Sequence, residues 1–288
     1  MNTTRREVLS GLALGTLSLA AGCRTAGIGG GTRAIRIAHC GDPQFGFGDP
    51  DDAAASYAVD MERFERLIDD VNEWRPDLCF VAGDMTHHAK DLERDWPRLL
   101  KRFRVPVVAT AGNHDMGQNL TRENVERFER VFGYEYTSVR LGGWRFISGN
   151  SQYWRPTQET ARRNRYEDWL RAEFAAAKAA GEPVILATHM PPFVASIGEP
   201  DTYENYPLAS DGFVPRAERL ASYLDAGVRF YLAGHTHRMI ARAFDGMTIL
   251  NAETTCRNFD KLPTGYRRLE ILPNGDYSWT FCRVSPVG

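Results

Sequence analysis

Seven histidines, at positions 39, 87, 88, 114, 189, 235 and 237, each lie in or within a few residues of the carboxyl end of an apolar run of strand length. Carboxylates and amides accompany them: Asp42 and Gln44 in GDPQFG, Asp84 in AGDMTHH, Asn113, His114 and Asp115 in AGNHD, His189 in THMPP, and His235 and His237 in AGHTH. Imidazole, carboxylate and amide donors without a thiolate suit a divalent metal such as Mn, Fe or Zn in a mixed oxygen and nitrogen site. Two such ions about 3.5 to 4 Å apart can share a bridging carboxylate and hydroxide and clamp the attacking and leaving oxygens of a phosphoester. Taken singly, these signals are weak, because a Gly-Asp pair is most often a turn and Asn-His-Asp can equally start a helix. Jointly they are strong, since no turn argument explains why each one follows a buried strand. His39 stands apart: it has the parity of Ile35 and Ile37 on its strand and reads as packed. Cys40 and Cys79 read as small buried hydrophobes. His87 is a candidate contact to substrate, and His88 reads as surface.

The elements that would bring these groups together are legible as periodicities. Strand-length apolar runs recur at 35–38, 78–82, 105–109, 184–187 and 228–233, each flanked by Gly, Pro, Asp or Asn. Tyr57, Met61, Phe64, Leu67, Ile68, Val71 and Trp74 repeat on one helix face. Similar patterns run through 125–132, 169–177, with Asn164 and Glu167 spaced as a capping box, and 217–224. Strands alternating with crossover helices imply a parallel or mixed sheet covered on both faces, with ligands bound at the carboxyl ends of its strands. Gly142-Gly143 predicts a hairpin between 136–141 and 144–148. Further strands at 239–244, 248–251, 266–272 and 277–284, with turns at Asp245-Gly246 and Asn274-Gly275, suggest a second sheet packed on the first. The expected class is α/β, a four-layer sandwich of two mixed sheets flanked by helices.

Lys and Arg number 35 against 37 Asp and Glu, so the formal charge of -2 supplies no cationic field, and a nucleic-acid partner is not expected. Five cysteines without CxxC spacing argue against a disulfide framework and a zinc ribbon. The amino terminus carries Arg5 and Arg6, a short apolar stretch from Gly11 to Ala21, then Gly22 and Cys23. That stretch is shorter than the roughly 20 residues needed to span a bilayer, and it reads as an export signal over 1–22. The arginine pair resembles a twin-arginine signal, and Ala20 to Cys23 resembles a lipobox whose Cys23 would be lipidated, which makes an exported, membrane-anchored protein of the periplasm or cell envelope the expectation. Residues 23–32 read as a flexible tether, and 33–288 as one domain.

In order and spacing, the five signals resemble those of the calcineurin-like metallophosphoesterases, whose motifs run DxH, GDxx, GNHD or GNHE, a lone H, and GHxH. The resemblance covers about 35–239, and the later strands suit the family fold. It implies two divalent ions, drawn from Mn, Fe, Zn or Mg, with Asp84 as the bridge. By the same resemblance Asp42 and His237 complete one metal and Asn113, His189 and His235 the other, while His114 donates a proton to the leaving alkoxide and Asp115 orients His114. The implied activity is phosphoester hydrolysis by a metal-bridging hydroxide, most simply on monoesters. A phosphodiesterase or pyrophosphatase acting on nucleotides or lipid headgroups is the alternative, and a tethered scaffold with a decayed metal centre is the non-enzymatic one.

Gln44 departs from the family pattern, which has His at that position. A neutral amide oxygen is a weaker donor than imidazole, so the first metal is expected to bind more weakly and to favour a harder ion. The phrase DPQFG, with GNHDMG, Asn150-Ser151-Gln152 and the 203–208 stretch, is similar to one branch of the family, that of the eukaryotic phosphoesterase-domain serine/threonine phosphatase. Substrate choice is expected from the loops 45–56, 153–165, 193–211 and 254–263. Among Arg155, Arg162, Arg163, Arg165 and Arg257, the last is preferred as a fork to phosphate, because it follows a strand expected near the site. Asn150 and His87 complete the expected substrate contacts. Tyr153, Trp154 and Phe193 are candidates to stack on a ring or merely to pack the loops. A small-molecule or lipid phosphoester is the expected partner.

Overall fold

A computed structural model describes residues 32–47, 53–117, 120–155, 157–196, 198 and 216–284. The export signal, most of the tether and the 203–208 stretch lie outside the described residues. Eleven strands and six α-helices follow one another as β1 (Ile35–Cys40), α1 (Ala53–Trp74), β2 (Leu78–Val81), α2 (Leu92–Leu100), β3 (Val107–Ala109), α3 (Asn113–Met116), α4 (Arg122–Phe132), β4 (Thr137–Leu141), β5 (Trp144–Ser148), α5 (Thr160–Ala180), β6 (Val184–Ala187), α6 (Arg216–Asp225), β7 (Val228–Ala233), β8 (Ile240–Phe244), β9 (Met247–Asn251), β10 (Gly265–Ile271) and β11 (Tyr277–Arg283) among the described residues. Among them, no helix is long and apolar enough to cross a membrane.

The strands form two mixed sheets, ordered β11-β10-β1-β2-β3 and β4-β5-β6-β7-β9-β8. β1, β2 and β3 are parallel, as are β5, β6, β7 and β9, while β10, β11, β4 and β8 run antiparallel to their neighbours. The carboxy-terminal strands therefore do not build the second sheet on their own, as the sequence suggested. β10 and β11 extend the first sheet beyond β1, with Ile37 opposite Leu269, and β8 and β9 extend the second beyond β7. The middle of the chain, β4 to β7, makes the rest of the second sheet. Local pattern shows a strand but not its partner, which is why the assignment differs.

Period-two alternation sorts each strand into two packing layers. Ile35, Ile37, Leu78, Phe80, Phe146, Ile185, Phe230, Leu232, Leu250 and Leu269 fill the space between the sheets. Their neighbours on the same strands, such as Ala38, Cys40, Cys79, Val81, Leu186 and Tyr231, face the helices, meeting Phe64, Leu67 and Val71 of α1, Tyr166 and Leu170 of α5 and Tyr223 of α6. His39 follows its parity into the layer between the sheets, with Nε2 2.9 Å from the Ala233 carbonyl of the other sheet. Burial, and then the charge of Arg267, lower its pKa to about 3.

Two local expectations change. α5 begins at Thr160 with Glu159 as its N-cap, so Asn164 lies inside the helix and caps nothing. The charged run 162–165 hid that first turn, yet Arg163 and Tyr166 are buried by it. α2 was not read from the sequence at all, because Pro97 interrupts it. Pro97 is the sixth residue of the helix, and Leu92, Trp96 and Leu99 still bury one face.

Candidate metal centre

Each strand end delivers one piece of the site. Asp42 follows β1, Asp84 follows β2, α3 opens after β3 with Asn113, His189 follows β6, and His235 and His237 follow β7. Close approach is possible because glycine precedes the key side chains: a Cβ on Gly112 would stand 2.1 Å from Asp84 Oδ1, and one on Gly83, at φ +93°, 2.4 Å from His189 Nδ1. The backbone is left-handed at Gln44, Asp84, His235 and His237, four of the seven such non-glycine residues among those described. Backbone forced into this region in L-residues is concentrated at functional sites.

The side chains converge. The donor atoms of Asp84, His189 and His235 lie within 4.8 Å of one another. His189 Nε2 is 3.0 Å from Asn113 Oδ1, 3.1 Å from His235 Nδ1 and 3.4 Å from Asp84 Oδ2. Its Nδ1 donates to the Ala82 carbonyl at 2.6 Å, which fixes the tautomer and turns Nε2 to the site. His237 is held in the same way, with Nδ1 2.7 Å from the Arg257 carbonyl. Both oxygens of Asp42 accept the backbone N–H of His235, at 2.9 and 3.0 Å. Asp84 Oδ1 accepts from the His114 backbone at 2.8 Å. Gln44 donates its backbone N–H to the Asp84 carbonyl at 2.8 Å, while its buried Oε1 has no partner. His235 Nε2 is buried and unpartnered as well.

Electrostatics match that crowding. Burial raises the pKa of Asp42. Burial would lower His189, but the carboxylates of Asp84 and Asp42 outweigh it and raise the imidazole to about 9. Asp84 is held well below the usual carboxylate range: burial opposes this, but His189 and its neighbours prevail. Burial and the charge of His189 push His235 down to about 3. Buried carboxylates and imidazoles with orphaned acceptors are a donor set that a divalent cation completes, so the residues present fit one.

Asp115 departs from its expected role. Its oxygens accept from the backbone N–H groups of Gly112 at 2.8 Å and Met85 at 2.9 Å, tying the Asp84 and Asn113 loops together. Burial, then the nearby Asp84 charge, raise its pKa to about 8. The His114 ring is instead oriented by the His87 carbonyl, 2.9 Å from Nδ1, and stacks on the His87 ring with centroids 4.9 Å apart. A cavity of about 560 Å³ opens beside them, lined by His87, Lys90, Asn113, His114, Asn124 and Arg127.

The expected substrate contacts divide. Half-buried His87 borders that cavity. Arg257 is exposed and touches the site through its carbonyl. Asn150 is fully buried, with Oδ1 accepting from Gln152 N at 3.0 Å and Nδ2 3.3 Å from Glu135, so it anchors its own loop. Arg162 is drawn to Glu126, Glu129, Glu135 and Glu159, and Arg163 is buried. Tyr153, Trp154 and Phe193 are buried and pack the loops. Among the described residues, two aromatic side chains that sequence reasoning did not single out, Phe47 and Phe259, pack against His237. Their positions just after Gln44 and Arg257, in the expected rim loops, were the available signal.

The family described as "Calcineurin-like phosphoesterase" matches residues 35–239. The chain is 29% identical over 237 residues to the serine/threonine-protein phosphatase CPPED1 of Bos taurus, covering 76% of this chain and 70% of that protein. It is 28% identical over 234 residues to the "Probable cyclic nucleotide phosphodiesterase" of Synechococcus, covering 79% and 84%. Among solved structures, GAP50, "the anchor in the inner membrane complex of Plasmodium", shares the fold with a TM-score of 0.59 at 13% identity, over 89% of this chain and 86% of that one.

Proposed function

The chain belongs to the calcineurin-like phosphoesterase family and is a hydrolase, and from that premise we propose that it is a metal-dependent phosphomonoesterase working outside the cytoplasmic membrane. The observation that carries the proposal is the convergence of Asp84, Asn113, His189 and His235, with Asp42 on the His235 backbone N–H, where His235 Nε2 is left unpartnered. Asp42, Gln44, Asp84 and His237 would hold one divalent ion, and Asp84, Asn113, His189 and His235 the other. When bound, the two ions supply Lewis acidity and a nucleophile at neutral pH.

The rest is the work of the chain. The Ala82 and Arg257 carbonyls hold the His189 and His237 rings so that each keeps Nε2 for a ligand. Asp115 locks the loops carrying Asp84 and Asn113 at a fixed separation. With Nδ1 committed to the His87 carbonyl, His114 carries the proton for the leaving oxygen at Nε2, on the rim of the cavity. Arg257, exposed on the loop whose carbonyl holds His237, would supply the fork to a non-bridging phosphate oxygen.

The test is a panel of p-nitrophenyl phosphate, bis-p-nitrophenyl phosphate and nucleotides, run with Mn, Mg, Zn and Fe beside metal analysis. Faster turnover of the monoester supports the reading, and full activity in a metal-stripped sample overturns it. The resemblance to the Synechococcus protein favours one second reading, a phosphodiesterase, which preferential cleavage of the diester would select.

We also propose export by the twin-arginine route and lipidation at Cys23. Lys at both Arg5 and Arg6 should trap the precursor in the cytoplasm. Cys23→Ser should release a soluble form, and normal membrane attachment of that variant would refute lipidation.

A further inference from the structure

Phe47 and Phe259 are large apolar side chains that neither packing layer takes up. Phe47 stands at the mouth of the metal centre, with its ring centroid 5.2 Å from His237, 5.4 Å from His87 and 6.5 Å from His114. It is thus near both His237, a proposed metal ligand, and His114, the proposed proton donor, beside which a leaving group would depart. Phe259 meets Phe47 edge-on at 6.0 Å and stacks on His237 at 4.8 Å and 13°, yet remains 47% exposed.

Both rings are held in place by the site itself. Phe47 N–H donates to the Gln44 carbonyl at 3.1 Å, and Phe259 N–H to the His237 carbonyl at 2.9 Å. The Phe259 loop is pinned by Asn258, whose Oδ1 accepts from Thr254 N at 2.9 Å and whose Nδ2 donates to the Pro263 carbonyl at 2.8 Å. Exposed apolar area on a rigid support beside a reaction centre is a preformed surface for a ligand. Aromatic faces set edge-on and stacked favour another planar ring over an aliphatic group of equal size.

We propose that Phe47 and Phe259 form an aromatic platform that receives a planar ring in the leaving group of the substrate, so that the substrates are phosphoesters of ring-bearing alcohols such as nucleosides or arylalkanols. This rests on the phosphomonoesterase reading above and names its substrate class. The platform acts by binding. Its energy is therefore expressed in KM, and kcat is governed by the metals and His114.

The experiment uses the metal-loaded full chain and two substrate pairs whose leaving oxygens are chemically alike: adenosine 5'-monophosphate against ribose 5-phosphate, and benzyl phosphate against cyclohexylmethyl phosphate. The expected preference for the ring-bearing member is about tenfold in kcat/KM, the scale of one good stacking contact. Preference in the first pair alone assigns a nucleobase, in the second alone an aryl group, and in both any planar ring. Phe259→Leu and, separately, Phe47→Leu should bring the ratio close to one through KM, while Phe259→Tyr keeps it; taking a ratio cancels any common effect on His237. A wild-type ratio near one in both pairs, or a ratio that survives both Leu substitutions, overturns the platform. If no monoester is hydrolysed, the phosphomonoesterase reading fails on its own. Equilibrium binding of adenosine 5'-monophosphate against ribose 5-phosphate then decides the platform, with equal affinities overturning it.

Discussion

Two histidines, buried His39 between the sheets and half-buried His235 at their carboxyl edge, have the same lowered pKa of about 3 and entirely different surroundings. His39 sits on regular β-strand backbone against the Phe80 ring, 5.5 Å away, with one nitrogen on a carbonyl and the other unpartnered. His235 has left-handed backbone at φ 71° and an imidazole 3.1 Å from His189, and lies in a group with Asp84. Titration behaviour alone does not separate a packing residue from a ligand. What separates them is convergence: at His235 the side chains of Asp84 and His189 are gathered while its Nε2 stays unpartnered, and at His39 there is a single carbonyl. The comparison can be broken by substitutions at the edge that should lower activity and leave the fold, and by one between the sheets that should change the pH dependence of stability and leave activity.

The largest effect is expected from Asp84, which lies against His114 N and His189. Asp84→Asn should lower turnover by about 10³-fold, the scale of removing a principal charge-stabilising group, and lose bound metal with it while the circular dichroism spectrum stays native. Activity with full metal content in this variant would remove Asp84 from the bridging position. Next is His114→Ala, which should keep its metals and slow hydrolysis of alkyl phosphates by about 10²- to 10⁴-fold. An activated p-nitrophenolate leaves without a proton, so that substrate should suffer much less. Equal losses on both, at matched metal occupancy, would exclude His114 as the acid.

A smaller effect sharpens the comparison at Gln44. Its buried Oε1 lacks a partner, so Gln44→Ala should weaken metal binding and Gln44→His, with a better donor, should tighten it, each by about tenfold. Equal affinity across the three forms, measured by competition with a chelator, would show that Gln44 is not a ligand.

The strand ends carrying the candidate site side chains were legible because these residues follow buried strands in chain order, and alternation marks such strands without any knowledge of their partners. The sheet to which β9, β10 and β11 belong was not legible, since pairing such as Ile35 with Ile271 is a long-range choice that leaves no local trace. α2 was hidden because Pro97 violates propensity where packing of Trp96 and Leu99 overrides it. Asp115 was assigned to its sequence neighbour His114, whereas its oxygens accept one backbone N–H from its own turn, Gly112, and one from the loop after β2, Met85. Asn150, part of the Asn150-Ser151-Gln152 phrase likened to one branch of the family, was expected at the substrate, but its polarity serves Gln152 and Glu135. Phe47 and Phe259 were passed over because an aromatic residue in a loop is indistinguishable from a core residue until its burial is known.

The smallest expected effect lies between the sheets. His39 is neutral when folded, with a pKa of about 3, while the unfolded chain takes up its proton near the ordinary value of about 6.5. Above pH 6.5 neither state binds that proton and the residue adds no pH dependence. Between 6.5 and 3 only the unfolded state binds it, so stability falls as pH falls, with a limiting slope of about 1.4 kcal/mol per unit for this group. His39→Leu removes the titration and leaves the Ala233 carbonyl still paired with the Ala252 N–H at 2.9 Å, so no new orphan is created. Urea unfolding at pH 7.5 and 5.5 should show the variant losing about 1 kcal/mol less than wild type over that interval, while metal content and hydrolysis at pH 7.5 stay near wild type. Identical pH dependence in the two proteins would mean that His39 is protonated in place, and the contrast with His235 would then rest on backbone geometry and convergence alone.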